Sequence, residues 1–386
     1  MADAYRLPQP TVWAEAPESY SYSKLSAFDK CPRKWQLLHS AWGRHDSFPQ
    51  RPIPKAVEGT IVHDAIDHLF KELGSRGMPA IGTNNFSEAL VETNFWESIE
   101  NEIEKWNSKL RASEDSGSKS LVRTSGRDLA NRAVRLFKAR YSGEGNGSLR
   151  AKITIKAKKE SNTDPLSTLE AKGLLSEVYL KHPDMSVVGI LDLVELHGSD
   201  IQIVDFKTGK ASPGHIDQLL FYCVLWWRVT GRAPRSIVVQ YPGDRRESSV
   251  GEEEILLAEK KFLHKIALME AELKSQPAQA VTGAHCRYCP VRARCDDGWR
   301  SCQREVERNG RTDVELVVTD DTSSNGFLAM AGTANISVVY SVARGRKFKS
   351  KFVGGNRLRL LDVYCDRDKA SYEIGDYSEV YICSRQ

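Results

Sequence analysis

Residues Ile201 to Ser212, IQIVDFKTGKAS, run as a β-type segment into the triplet Asp205-Phe206-Lys207 and then a Thr-Gly turn. Just before it, Val187 to Leu196 is a second strand-like run that contains Asp192. The four residues between them, His197-Gly198-Ser199-Asp200, are good turn formers, so the pair is expected to fold as a β-hairpin. A turn symmetric about them sets Asp192 directly opposite Asp205. Facing Cβ atoms in such a ribbon stand about 4.5–5.5 Å apart, and like charges placed there repel. Two carboxylates facing each other in an apolar hairpin need a cation between them. Side chains alternate along a strand, so Lys207 projects on the same face as Asp205. Two acidic ligands, a lysine and a hard divalent ion suit phosphodiester hydrolysis. A D-x-K triplet alone is more often a pair of surface residues; the register is what raises it.

Around this hairpin the chain has 386 residues, enough for one large domain and a small companion. Hydrophobic content of 40% and charged content of 27% are ordinary for a globular protein. A net charge of +4 permits nucleic-acid binding without demanding it. The start, MADAYRLPQP, has no basic apolar signal segment, and no apolar run approaches a membrane span, so the expected setting is cytoplasmic, with no membrane partner.

Residues 1–20 read as an irregular lead-in. Ser23 to His39 reads as a helix that Pro32 kinks or divides. A second helix starts near Gly59-Thr60 with Val62, Ile66, Leu69 and Phe70 at helical spacing. Helical segments cover roughly 86–111 and 126–141, with polar loops at Ser113 to Ser120 and Gly143 to Ser148. Strands follow at Ala151 to Lys158, Leu169 to Leu180 and the hairpin. A helix from Gly214 to Thr230, a strand from Ser236 to Tyr241 and a charged helix from Glu253 to Leu273 complete a mixed α/β domain through about residue 308. From residue 313 to 386, short β-type runs (VELVVT, ISVVYSV, RLRLLDVYC, EVYICS) alternate with turns, the pattern of a small all-β domain. Its composition leans towards an OB-like barrel gripping single strands rather than a docking surface.

Several side chains outside the hairpin point to chemistry. His63 lies one residue from the apolar stripe of its helix. It reads either as a structural histidine or as a neutral imidazole completing a metal shell. Gln218 and Tyr222 share a helix face at i, i+4, suited to holding a phosphate or base, or simply to packing. Of eight cysteines, Cys286, Cys289 and Cys295 fall in CRYCPVRARC, a strong ligand signal. Cys302 completes a local zinc site, or Cys31 closes an iron–sulfur cluster. Arg33, Lys34 and Trp35 lie beside Cys31, and Arg287, Tyr288, Arg292 and Arg294 among the others, a mixture that neutralises phosphates and stacks on bases. In the late domain Lys347, Lys349 and Lys351 are expected on one face of a strand, with Phe348 and Phe352 on the other.

SYSKLSAFDKCPRKW, GTIVHDAIDHLF, VVGILDLVEL, IQIVDFKTG, QLLFYCVLWW and CRYCPVRARC, in that order, resemble the iron–sulfur branch of the PD-(D/E)xK nuclease superfamily. That branch includes RecB-like and AddB-like nuclease domains and CRISPR-adaptation exonucleases. The resemblance implies an α/β restriction-endonuclease-like core with helical insertions over residues 21–308. It also implies a Mg²⁺- or Mn²⁺-dependent deoxyribonuclease, with DNA, single-stranded or bearing single-stranded ends, as substrate. His63, Asp192 and Asp205 would hold the metal, and Lys207 would orient water or stabilise charge. Gln218 and Tyr222 match the family's QxxxY element, and Glu177 is an additional acidic helper. Cys31, Cys286, Cys289 and Cys295 would carry a [4Fe–4S] cluster, which turns the reading away from Zn²⁺. A helicase or other repair or defence protein is the implied partner class; a DNA-binding scaffold is the alternative function. Asp205 stands where the family often has glutamate, and the late β segment has no counterpart in compact members.

Overall fold

The computed structural model describes residues 7–43, 46–48, 54–75, 84–110, 124–141, 164–302, 309–323, 325–341, 348–375 and 378–384. The expected strand Ala151 to Lys158, the two polar loops and Lys347 lie outside these residues.

Helices α1 (Tyr22–Lys30) and α2 (Pro32–His39) meet at Cys31, which closes the first and caps the second in an extended conformation. Pro32 takes the first helical position, where a missing N–H goes unnoticed, so the expected division at this proline is present. Next come α3 (Pro54–Ser75), α4 (Asn84–Glu92), α5 (Phe95–Leu110) and α6 (Gly126–Tyr141). The segment expected as one helix is two, α4 and α5, broken where Asn94 takes φ 51°. Helix α7 (Pro165–Lys172) occupies the first part of the expected strand Leu169 to Leu180. The reason is local: the Asp164 carboxylate accepts from the N–H groups of Leu166 and Ser167, Pro165 starts the helix, and Gly173 ends it at φ 76°.

Strands β1 (Leu174–Lys181), β2 (Val188–His197), β3 (Asp200–Phe206), β4 (Ser236–Gln240) and β5 (Arg245–Ser249) form one sheet in that order. Only β3 and β4 pair in parallel, and α8 (Gly214–Thr230) is the crossover between them. Helix α8 and α9 (Glu252–Glu272) cover one face; α3, α5 and α6 cover the other. Ile61, Ile66, Leu69 and Phe70 of α3 are all at most 3% exposed. Each such side chain taken from water contributes about 1.5–3 kcal/mol. That packing fixes the rotation of α3 and with it the direction of His63. Helix α10 (Asp296–Cys302) follows the cysteine segment.

The remaining strands are β6 (Gly310–Ser323), β7 (Gly326–Ala331), β8 (Ala334–Tyr340), β9 (Arg357–Asp366), β10 (Ser371–Ile374) and β11 (Glu379–Ser384). Strands β6, β7 and β8 form a meander, β8 runs parallel to β10, β10 pairs with β9, and β9 pairs back to β6. The ring is closed, a five-stranded barrel of OB type, with β11 added along β9. One expectation fails here. Lys349 and Lys351 sit in a 3₁₀ turn rather than on a strand, and Phe348 and Phe352 on either side of it both plug the barrel core. No helix among the described residues is long and apolar enough to cross a membrane.

Candidate active site

The hairpin between β2 and β3 turns on two residues, Gly198 and Ser199, with Gly198 at the positive φ of 63° that a short hairpin needs. Its ladder runs from His197 opposite Asp200 to Leu193 opposite Val204. Continued one step beyond its last pair, that register sets Asp192 across from Asp205, and the Asp192 charge acts on the Asp205 carboxyl. On its other side, β2 pairs Ser176 with Leu193 and Val178 with Leu191, so Glu177 faces Asp192. Glu177, Asp192 and Asp205 therefore form one row across three strands. Neither ladder pairs through Asp192. Instead its Oδ2 accepts the Phe206 N–H at 2.8 Å. Glu177 adopts φ 49°, a strained value for a side-chain-bearing residue and a feature that clusters at functional sites.

His63 of α3 reaches the row: its Nδ1 is 3.4 Å from Asp192 Oδ2. Lys207 Nζ is 2.6 Å from Asp205 Oδ2. Asp205 is 1% exposed, and its Oδ1 has no hydrogen-bond partner among the described residues. A buried carboxylate oxygen left without a donor is costly in a finished core and suits one awaiting a cation. The Gln218 amide donates to the Tyr222 hydroxyl at 2.7 Å. The Tyr222 ring lies against Gly189, where a Cβ would fall 3.2 Å from Tyr222 Cε1 and 2.7 Å from Leu225 Cδ1. Gly189→Val is thus expected to destabilise the protein by about 1–3 kcal/mol through overpacking, read by urea unfolding. Two nearby residues were not singled out from the sequence. Asp67, one helical turn after His63, is buried, accepts from the Ser176 hydroxyl at 3.3 Å and pairs with Lys71; its i, i+4 spacing from His63 was the available signal. Tyr22 donates to the Gly214 carbonyl at 2.6 Å, and no sequence pattern marks it.

The row is strongly polarised. Burial opposes charge on His63, yet the Asp192 carboxylate outweighs it and holds the imidazolium up to about 9. Burial, then Asp192, pushes Asp205 up to about 7. Burial, then Asp192 and Asp67, does the same to Glu177, also to about 7. Asp192 goes the other way: burial would raise it, but His63 and Lys207 hold it below the ordinary carboxylate value. Raised values mean that the native state keeps protons the unfolded chain releases. The stability from Asp205 and Glu177 is complete below their ordinary values of 3.8 and 4.5 and is lost as pH rises through about 7. That from His63 is complete below 6.5 and lost through about 9. The Asp192 contribution disappears only on acidification below its ordinary 3.8. The melting temperature of metal-free protein is therefore expected to fall steadily between roughly pH 5 and pH 9. Mg²⁺ is expected to restore more of it at alkaline than at acid pH, because it takes the place of those protons. A flat profile would contradict this electrostatic account.

The four cysteines expected at a cluster line one cavity with Lys34, His285, Val291 and Gly298. A Cβ on Gly298 would stand in ordinary contact with the sulfurs, 3.4 Å from Cys295 Sγ and 3.7 Å from Cys286 Sγ, so Gly298 borders both. Backbone N–H groups of Lys34 and Gly298 point at the sulfurs of Cys31 and Cys295, each at 3.4 Å. Burial pushes the Cys289 thiol up to about 11 and raises Cys295, so these thiols ionise only with a cation beside them. Four cysteines around one cavity are the donor type that thiolate-held metal groups use. Among the described residues, no three His, Cys, Asp or Glu side chains already close on a common point. Cys302 ends α10, and its side chain lies outside what is described.

The residues expected to touch DNA divide in two. Lys34 is half-buried at the cavity, and Arg287 and Tyr288 are exposed. Trp35, by contrast, is 3% exposed and stacks on His39, so its ring offers no face to a base. The Arg33 guanidinium donates to the Ala278 carbonyl. Arg292 forks onto Asp313, and Arg294 donates to the Ile382 carbonyl at 2.8 Å, so both are committed to the barrel.

The model of the PD-(D/E)XK nuclease superfamily matches residues 19–296, which include every residue of the acidic row and the four cysteines of the cavity. The chain belongs to the PD-(D/E)XK nuclease superfamily. Members are generally metal-dependent nucleases, in keeping with the donor set of this nuclease domain. No curated protein matches the chain. Among solved structures, the tetrameric p202 HIN2 is 20% identical over 20% of this chain and 43% of its own, at a TM-score of 0.17. A murine DNA-binding protein bound with double-stranded DNA is 8% identical over 55% of this chain and 95% of its own, at 0.19. The chain thus spans less than half the length of the first, and neither superposition is close enough to bear on this nuclease.

Proposed function

We propose that the protein is a Mg²⁺- or Mn²⁺-dependent deoxyribonuclease that degrades DNA from single-stranded ends, in repair, recombination or defence. The observation that carries this reading is the Asp192 carboxylate reaching across the hairpin to the Phe206 N–H beside Asp205, with His63 on Asp192 and Lys207 on Asp205. His63, Asp192 and Asp205 would hold the ion, with Glu177 beside them. A divalent ion in this position supplies Lewis acidity towards a phosphoryl oxygen and a more acidic water. Lys207, which stands beside Asp205, would stabilise charge building on the non-bridging oxygens. Tyr222, its hydroxyl held well above the ordinary tyrosine value by burial and by Asp192 and Asp205, remains a neutral donor and, with Gln218, would position the substrate.

Cys31, Cys286, Cys289 and Cys295 would hold a [4Fe–4S] cluster that tethers α2 to the far end of the domain. Exposed Arg287 and Tyr288 would flank the path of the strand. Free thiols suit a reducing, cytoplasmic setting, and a helicase or other repair or defence protein would supply the single-stranded end. End-labelled single- and double-stranded DNA incubated with Mg²⁺ is expected to shorten fastest when single-stranded, and not at all when EDTA is present. Equal cleavage with and without EDTA would overturn the metal-dependent reading.

A further inference from the structure

The segment between the ligand cysteines is also where the barrel is seated. Arg292, Ala293 and Arg294 lie between Cys289 and Cys295, and Asp296 follows directly. Arg292 donates through Nη1 to the Cys289 carbonyl at 3.1 Å while its other nitrogens grip Asp313, next to the start of the barrel's buried strand residues. The Arg294 guanidinium lies 5.2 Å above the Tyr381 ring of β11. From the barrel side, Arg359 of β9 is 2% exposed and reaches out to the Ala293 carbonyl at 3.2 Å and Asp296 at 2.6 Å, with its guanidinium 4.6 Å over the Trp299 ring. Leu361 and Tyr381 of the barrel share one apolar cluster with Leu37 and Leu38 of α2 and with Cys295 itself.

Between Ala284 and Cys295 the seat has only two short 3₁₀ turns, Ala284–Tyr288 and Arg292–Arg294, before α10 begins at Asp296. Such a loop holds its shape through cross-links rather than through a backbone ladder. We propose that metal occupancy of the cysteine site controls docking of the barrel onto the nuclease domain: an occupied site fixes the loop that Arg359 and Asp313 grip, and an emptied site releases it. The inference rests on the reading of Cys31, Cys286, Cys289 and Cys295 as metal ligands. Coupling of this kind is reciprocal, so a docked barrel also retains the metal.

The test uses the full chain purified anaerobically, with iron and zinc measured, and small-angle X-ray scattering before and after chelation under reducing conditions. Chelation is expected to raise the radius of gyration and broaden the distance distribution as the barrel separates. In a second arm, Arg292→Gln with Arg294→Gln leaves every cysteine in place and is expected to speed extraction of the metal by a chelator several-fold. A metal-loaded protein whose scattering is unchanged by chelation, or a double variant that loses metal at the wild-type rate, overturns the coupling while leaving the cysteine site standing. Protein that carries neither iron nor zinc defeats the cysteine reading and the coupling together.

Discussion

Asp205→Asn is expected to lower the rate of DNA degradation by about a thousand-fold or more, the scale on which enzymes lose rate when a group central to transition-state stabilisation is removed. The substitution keeps the shape of the side chain, removes its capacity for charge and replaces one ligating oxygen with an NH₂ donor. Asp205 is buried, faces Asp192 and is held up to about 7, so the metal-free fold already disfavours its ionised form. The same variant is therefore expected to be at least as stable as the wild type at pH 8 without metal. It should also lose the rise in melting temperature that Mg²⁺ gives. A destabilised variant would show that Asp205 is structural, and a variant of full activity would remove it from the chemistry.

Arg359→Leu is expected to cost about 3 kcal/mol, the lower end of the range for breaking a buried ionic contact. Asp296 is partly exposed, and Glu315, which accepts from Arg359 Nε at 2.8 Å, keeps its bond to Arg357 at 2.9 Å, which limits the penalty; the loss of packing over Trp299 adds to it. Urea unfolding followed at the tryptophans measures this directly. A change below about 1 kcal/mol would mean that the guanidinium is replaceable by apolar packing, as some buried ion pairs are.

The decisive hairpin was legible because its information is local. Turn residues at Gly198 and Ser199 fix the centre of the ladder, and alternation then places Asp192 and Asp205. Glu177 gained its place opposite Asp192 only through the register of β1, which depends on where that strand starts. The apolar run after Leu169 obscured that start, although Asp164, Pro165 and Gly173 were adequate helix signals. The segment from Phe348 to Phe352 alternates basic and aromatic residues as a strand would, but the barrel interior takes in the two rings that flank a short 3₁₀ turn. Trp35, Arg292 and Arg294 have the residue types of a nucleic-acid surface. Their partners come from the core and from a barrel far along the sequence, and residue type alone carries no information about partners that distant.

Anomalous diffraction from crystals soaked in Mn²⁺ tests the central claim most directly. The account predicts a manganese peak at the site formed by His63, Asp192 and Asp205, absent from crystals of Asp205→Asn. A peak elsewhere, with the Asp205–Lys207 ion pair left intact in active protein, would contradict it.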